Sequence, residues 1–523
     1  MTSPDCSDRS SPRSDPVGTL ATAAFGIAVA IGLGAAFTGL DLAGLWQDEL
    51  YTGWIVDPAI GFPETMSRAV RDVSPPLYYV LLWPLVKVAG TDEVGLRLFS
   101  VLCATGAILL FVAGGRAFFG LRARLFAAAM ATASSYWFMQ AQNARFYALG
   151  MMVGTALLLL ALSALGRPRV SRATIGLFAM TAIATAIHFY LLYVSLAVLA
   201  VLFLLRPQQR IATAAWAILL LLAAVTYLRL VIAPNSFASI GANWIGNDAA
   251  WYAVHLRNAL QQSLTNKAAL ALVICLLPGG LALLRTRRIP VGAPSDQLGG
   301  PFLCLAVPVL VLLAGGVTSF LFTPNFHSRY VLLASPFLWG LFAFLYDRSV
   351  VPAPRVLRQV VDAALAVVLL WMSTTMALNR FKPYSEPFRE TAARIVDIPS
   401  CRGQEILAIV MERRDWFRSE DGIAPVRAAY EKYLNGQATV RTVFFEDLLA
   451  GTVPADLRQM LARRIDGNGC PVLAWVVHLA TPEIAAEIAK AVLAVAGRSA
   501  RAADLEVITI RTGLEGYIIA MKR

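Results

Sequence analysis

Eleven apolar runs divide most of this chain, and a chain carrying that many has to place them in lipid. They fall near 17–40, 95–115, 125–139, 146–165, 173–187, 191–205, 211–233, 268–284, 302–322, 330–346 and 359–378. A helix needs about 20 apolar residues to cross the hydrocarbon core, and most of these runs approach that length. Hydrophobic residues make up 58% of the 523 residues and charged ones only 15%, too few charges to cover a soluble protein of this size. The first run is too long for the apolar part of a signal peptide and ten more follow it, so it reads as a retained anchor.

The net charge of +12 comes from 45 Lys and Arg against 33 Asp and Glu, and its placement matters more than its size. The basic residues sit in short gaps between apolar runs, the signature of membrane insertion. No Gly-rich phosphate loop, zinc-finger spacing or RNA-binding signature is present, so no nucleic-acid partner is expected.

A further apolar stretch, 75–89, decides the topology. Laid in the outer interface as a juxtamembrane helix, with the N-terminus inside, it leaves every inside segment basic. These segments are the tail with Cys6, Arg9 and Arg13, then 116–124, 167–172, 206–210, 285–288 and 348–358. Counted as a span, it would move the basic loops from Arg116 to Arg358 outside, against the positive-inside rule. Pro75, Pro76, Tyr78, Tyr79, Trp83 and Pro84 suit an interfacial helix. The expected fold is a multi-span α-helical membrane protein of about 11 transmembrane helices plus juxtamembrane helices, with a C-terminal soluble α/β domain. The expected division is a cytoplasmic tail at 1–16, a transmembrane domain at 17–379 with a large first outer loop at 41–94, and an outer domain at 380–523.

In that last part, helix-like stretches at 386–397, 424–434, 454–464 and 482–497 alternate with strand-like ones at 405–411, 439–445, 471–478, 504–511 and 516–521. Such alternation predicts a small α/β layer with a mostly parallel sheet. Cys103, Cys275 and Cys304 lie within apolar runs and read as packing thiols. Cys401 and Cys470 each precede a predicted strand, and parallel strands would bring them to one sheet edge. There they would form a disulfide in an oxidising compartment or remain two buried thiols.

Polar residues at the outer ends of the runs are the candidates for chemistry, because a carboxylate or guanidinium at a span end is costly unless it works or meets water. Asp48 and Glu49 follow the first run beside Trp46 and Tyr51. They suit a general base or a divalent-metal ligand pair, with a solvated acidic loop as the alternative. Asp72 sits at the bend before Pro75-Pro76, where a purely structural helix start is the other reading. Arg145, in the polar turn 140–145, and Arg329, at the mouth of a later run, suit a phosphate; Arg145 could equally snorkel to headgroups. His188, His255 and His327 also map outside, but their separations give no metal spacing. One outer pocket of acids, arginines and aromatic rings fits a lipid-linked phosphate donor carrying a sugar.

In order, Trp46-Gln47-Asp48-Glu49, Ser74-Pro75-Pro76-Leu77-Tyr78-Tyr79, Gly95-Leu96-Arg97-Leu98, Asn143-Ala144-Arg145-Phe146-Tyr147-Ala148-Leu149, His188-Phe189-Tyr190 and Ser328-Arg329-Tyr330 span residues 17–345. The ordered set resembles the integral-membrane glycosyltransferases of the C-type fold, in the branch of the protein O-mannosyltransferases and the aminoarabinose transferase of lipid A. The resemblance implies a hexosyl- or pentosyltransferase of the bacterial inner membrane. Such an enzyme moves sugar from a polyprenyl-phosphate donor to a glycan, lipid or protein acceptor at the outer face, with the C-terminal domain in the periplasm. It implies Asp48 as base with Glu49 in support, Arg145 and Arg329 on the donor phosphate, and Asp72, Tyr78, Tyr147, His188 and Tyr330 around the substrate. Ser74 stands where relatives often have His and Asn143 where they often have an acid. A divalent metal, bound by some relatives, is therefore less expected, and Asp72 or Asp57 would supply the second acid.

A transporter or lipid-linked-sugar flippase is the rival class. It calls for internal repeats and ionisable groups near mid-membrane; no half-to-half repeat is visible and the polar residues collect at one face. A membrane scaffold would leave Asp48, Arg145 and Arg329 without a shared purpose.

Overall fold

The computed structural model describes residues 15–232, 245–286, 295–379, 385–411, 418–497 and 504–522. Cys6, Arg9, Arg13, Arg287 and Arg288, and most of the expected tail 1–16, lie outside the described residues.

Polar residues set the helix starts. Helix α1 (Pro16–Ala36) opens with proline in its first turn, and Asp15 accepts the Gly18 N–H at 3.2 Å. After α2 (Gln47–Ile55), α3 (Phe62–Ala69) and α4 (Leu77–Ala89), Asp92 caps α5 (Glu93–Gly114) through the Gly95 N–H at 2.7 Å. The next pair, α6 (Leu121–Thr132) and α7 (Ser135–Ala141), is broken at Ser134, which caps the second by accepting from Trp137. Then come α8 (Tyr147–Leu165), α9 (Arg172–Thr185), α10 (Phe189–Leu205), α11 (Arg210–Tyr227), α12 (Ala249–Ser263) and α13 (Asn266–Thr286). The bundle ends with α14 (Ser295–Leu321), α15 (Ser328–Val331), α16 (Ser335–Ser349) and α17 (Arg355–Asn379).

Each of the eleven predicted runs is helical, in a multi-span membrane fold. Among the described residues, seven helices are long and apolar enough to cross a membrane alone. The α12–α13 pair, bent by 64°, would make an eighth. The shortfall from eleven has a local cause: the run at 125–139 is split by the Ser134 cap, and α9 and α10 have 14 and 17 residues. The stretch at 75–89 forms α4, whose 13 residues are too short to span.

Small residues let the helices approach. In α1, a Cβ on Gly32 would lie 2.6 Å from the Thr132 side chain of α6; one on Gly340 of α16 would lie 2.8 Å from Cys304 Sγ of α14. At the end of the bundle where α1 starts, Arg122 binds Asp362 at 3.0 Å and Asp15 at 3.2 Å, and Tyr346 donates to Asp362 at 2.5 Å. That network ties α1, α6, α16 and α17 together.

At the other end sits a five-stranded sheet in the order β2-β1-β3-β5-β4. The strands are β1 (Glu405–Val410), β2 (Thr439–Phe444), β3 (Val472–Val476), β4 (Leu505–Arg511) and β5 (Glu515–Met521). β1 is parallel to β2 and β3, whereas β5 is antiparallel to β3 and β4. The sheet is therefore mixed, not mostly parallel as predicted. Only 512–514 separates β4 from β5, far too few residues for a crossover to a parallel neighbour. Alternation along β1 sends Ile406 and Ala408 into the main core and Leu407 and Ile409 into a second core with Leu457, Leu473 and Ile488. Cys401 and Cys470, just ahead of the parallel neighbours β1 and β3, are joined by a disulfide with Cα atoms 4.4 Å apart.

Candidate active site

The segment between α1 and α2 has no regular structure, yet every residue from Leu40 to Gln47 gives a main-chain group to a side chain. Arg97, in the first turns of α5, donates to the carbonyls of Leu40 (2.6 Å), Ala43 (2.8 Å) and Gly44 (3.0 Å). Its remaining N–H groups grip Glu49, 2.9 Å from Nε to Oε1 and 2.6 Å from Nη2 to Oε2. Glu49 is 1% exposed and also accepts the N–H of Ala144 (2.8 Å) and of Trp46 (3.3 Å). Both oxygens of Glu49 are thus spent inside the protein. Glu49, expected in support of Asp48, fixes the start of α2 against α5 and the 143–145 turn.

One residue earlier on the same turn, Asp48 faces the opposite way. Its carboxylate accepts no hydrogen bond from the described residues and its side chain is 29% exposed. Oδ2 lies 3.7 Å from Arg329 Nη1 and 4.0 Å from Arg145 Nε. These separations exceed a direct hydrogen bond. Arg145 is buried, and its Nη1 donates to Tyr79 Oη (3.2 Å) and Thr52 Oγ1 (3.4 Å) while Nη2 lies 4.0 Å from Asp72. Its Nε makes no hydrogen bond among the described residues. Burial disfavours its charge, but Tyr79, Asp48 and Asp72 outweigh that and hold its pKa well above the ordinary arginine value. Tyr79 donates to Asp72 at 2.5 Å.

Asp48, Asp72, Arg145 and Arg329 thus converge from α2, the bend before α4, the turn before α8, and α15. Tyr78 does not join them. Neighbouring side chains on a helix diverge by about 100°, so Tyr78 turns into the core against Tyr79, Phe99 and Phe146, and Tyr79 takes the site position. Asp57 accepts from Ala59 in its own turn and stays outside the cluster. Aromatic rings wall the cluster. Arg329 lies over Tyr330 (5.3 Å), Trp46 (5.7 Å) and Tyr147 (6.0 Å), geometry that favours a desolvated cation. Behind them His188 caps α10 by accepting from Tyr190 N–H and stacks on Phe146 with ring centres 4.2 Å apart. His188 is 7% exposed, and its ring centre also lies 5.2 Å from that of Tyr330. The rings of His255 and His327 lie tilted against each other with centres 4.1 Å apart.

The donor set suits an anion more than a dication. Asp48 and Asp72 each face guanidinium, and among the described residues no three His, Cys, Asp or Glu gather around one point. Asn143 accepts from Trp46 Nε1 at 3.2 Å, fixing the indole beside Asp48.

Sequence reasoning missed Tyr79, Thr52 and the structural partner Arg97. Arg97 had a visible signal, an arginine in the first turns of an apolar span; Tyr79 could not be separated from Tyr78 by spacing.

No family model matches the sequence, and no curated protein matches it. Solved structures do. Their class is a multi-span membrane fold, which this chain shares over nearly all of its length. Among them is ArnT from Cupriavidus metallidurans. In the apo state it is similar at a TM-score of 0.58 and 14% identity, over 97% of this chain and 98% of that one. Bound to undecaprenyl phosphate, it is similar at 0.56 and 14%, over 94% and 97%.

Proposed function

We propose that the chain is a glycosyltransferase that moves a sugar from a polyprenyl-phosphate carrier to an acceptor, with Asp48, Arg145 and Arg329 at its centre. The observation that carries this reading is the approach of two arginines, one from the turn before α8 and one from α15, to within 4.0 Å of a carboxylate that accepts no hydrogen bond from the described residues. ArnT, whose fold the chain shares, is seen with undecaprenyl phosphate bound, which supports the same lipid class here. Arg145 and Arg329 bind the donor phosphate. As the acceptor hydroxyl or amine attacks the anomeric carbon, the sugar–phosphate C–O bond breaks and polyprenyl phosphate leaves with its electrons. The fixed guanidinium groups stabilise the developing charge, and Asp48 takes the acceptor proton. Tyr79 and Asp72 hold Arg145 in place; Tyr147 and Tyr330 shape the wall around Arg329. Positive-inside placement supports an inner-membrane protein with its N-terminus in the cytoplasm and residues 380–523 in the periplasm.

The test uses purified protein in nanodiscs, with a panel of polyprenyl-phosphate hexoses and pentoses and membrane extract as acceptor. Wild type is expected to release polyprenyl phosphate, and Asp48→Asn to abolish release while eluting as a folded monodisperse protein. No release from any donor contradicts the reading and favours the transporter class.

A further inference from the structure

The C-terminal domain touches the segment that delivers Asp48, and it does so residue by residue. Arg389 donates to the carbonyls of Asp41 (2.8 Å) and Leu42 (2.9 Å). Ser385 Oγ donates to the Gly44 carbonyl at 2.8 Å. Leu45 N–H donates to Tyr433 Oη at 2.8 Å, and Gln47 N–H donates to Glu386 Oε2 at 2.8 Å. The next residue is Asp48. Glu386 is 5% exposed, so its carboxylate sits buried at the first turn of α2, where a negative charge and an acceptor are both favoured. Its other oxygen lies 2.6 Å from Nδ1 of His478, which follows β3. Ser385 is pinned in turn to the β4–β5 turn: its N–H donates to the Thr512 carbonyl (2.7 Å), and its carbonyl accepts from Leu514 (3.3 Å).

We propose that Glu386 is a positioning residue for Asp48, through which the sheet domain sets the orientation of the catalytic turn. The chain of contact is short: the β4–β5 turn and His478 fix Glu386, Glu386 fixes the Gln47 amide, and that amide opens the helical turn carrying Asp48. The sheet domain is thereby part of the reaction centre and more than a cover for the bundle. The inference rests on the transferase reading for its kinetic arm only.

The experiment compares wild type, Glu386→Ala and Glu386→Gln as full chains in nanodiscs, by donor turnover and by hydrogen–deuterium exchange. A displaced catalytic group costs about a hundredfold in rate. Glu386→Ala is therefore expected to lose that much kcat, with KM for the polyprenyl-phosphate sugar changed by less than about twofold. Its amides at 45–49 should exchange faster, while those of β1 and β3 stay protected. Glutamine keeps the Gln47 contact through its carbonyl and replaces the His478 contact with one of reversed direction, its NH2 donating to Nδ1 with the ring proton on Nε2, so Glu386→Gln should restore most of the rate and the protection. Wild-type kcat in Glu386→Ala, a raised KM at unchanged kcat, or a loss that glutamine does not restore overturns the proposal. Should Glu386→Ala fail to fold, Tyr433→Phe removes the hydroxyl that accepts from the Leu45 amide and donates to Glu93 at 2.9 Å. It is expected to lower kcat and protection in the same direction, and wild-type values for both overturn the proposal. A wild type inactive on every donor defeats the transferase reading, and the exchange arm then decides the positioning role alone.

Discussion

Arg97 holds both carboxylate oxygens of Glu49, at 2.9 and 2.6 Å, while the adjacent Asp48 keeps its carboxylate turned towards Arg145 and Arg329 at 4.0 and 3.7 Å. Two neighbouring acids thus have separate tasks, set by where α2 begins. Removing one partner of such a buried pair leaves a charge uncompensated and costs about 3–5 kcal/mol. Arg97→Met and Glu49→Gln are each expected to lower the thermal transition of the detergent-solubilised protein. The double variant should be less destabilised than the sum of the two, and simple additivity would show that the pair is not coupled.

Arg145 and Arg329 differ from lysine in presenting a planar fork of donors. Removing one preorganised donor to a developing oxyanion costs about 10²–10³ in rate. Arg145→Lys and Arg329→Lys should each lose at least the lower part of that range in kcat/KM for the polyprenyl-phosphate donor. Wild-type kinetics in either lysine variant would remove that residue from the phosphate site.

The two tyrosines of α4 make a sharper pair. Tyr79→Phe removes the hydroxyl between Arg145 and Asp72 and should lower kcat by roughly ten- to a hundredfold, the loss of a charge-assisted hydrogen bond worth about 1.5–3 kcal/mol. Tyr78→Phe, buried among Tyr79, Phe99 and Phe146, should leave turnover near wild type. Assaying both under one set of conditions decides which ring serves the site.

The Cys401–Cys470 bridge closes a separation of 69 residues, which on the chain-entropy estimate stabilises by about 4 kcal/mol. Cys401→Ala with Cys470→Ala should lower the unfolding transition of the sheet domain and raise exchange in β1 and β3. An unchanged transition would mean the native contacts alone hold that edge.

Much of this architecture is legible in the residues. The apolar runs are the helices because a long, continuous apolar run in lipid satisfies its backbone within itself only as a helix, and the five strands lie within a few residues of their predicted positions. Two features were out of reach. The predicted strands already leave only 512–515 between the last two, which makes that pair antiparallel, but the antiparallel pairing of β5 with β3 depends on a strand order that no local pattern shows. The fate of Glu49 depends on Arg97, 48 residues away, and no local pattern distinguishes a clamped acid from a reactive one. The contacts from Ser385, Glu386, Arg389 and Tyr433 to residues 41–47 are more distant still and exist only in the folded chain.

The most direct measurement is a cryo-EM structure of the wild type in nanodiscs with undecaprenyl phosphate. The expected result is a phosphate within hydrogen-bond distance of both Arg145 and Arg329, with Asp48 open to the space beside it. A headgroup bound away from both guanidinium groups, or at the end of the bundle that holds Arg122 and Asp362, would contradict the assignment of this cluster as the donor-phosphate site.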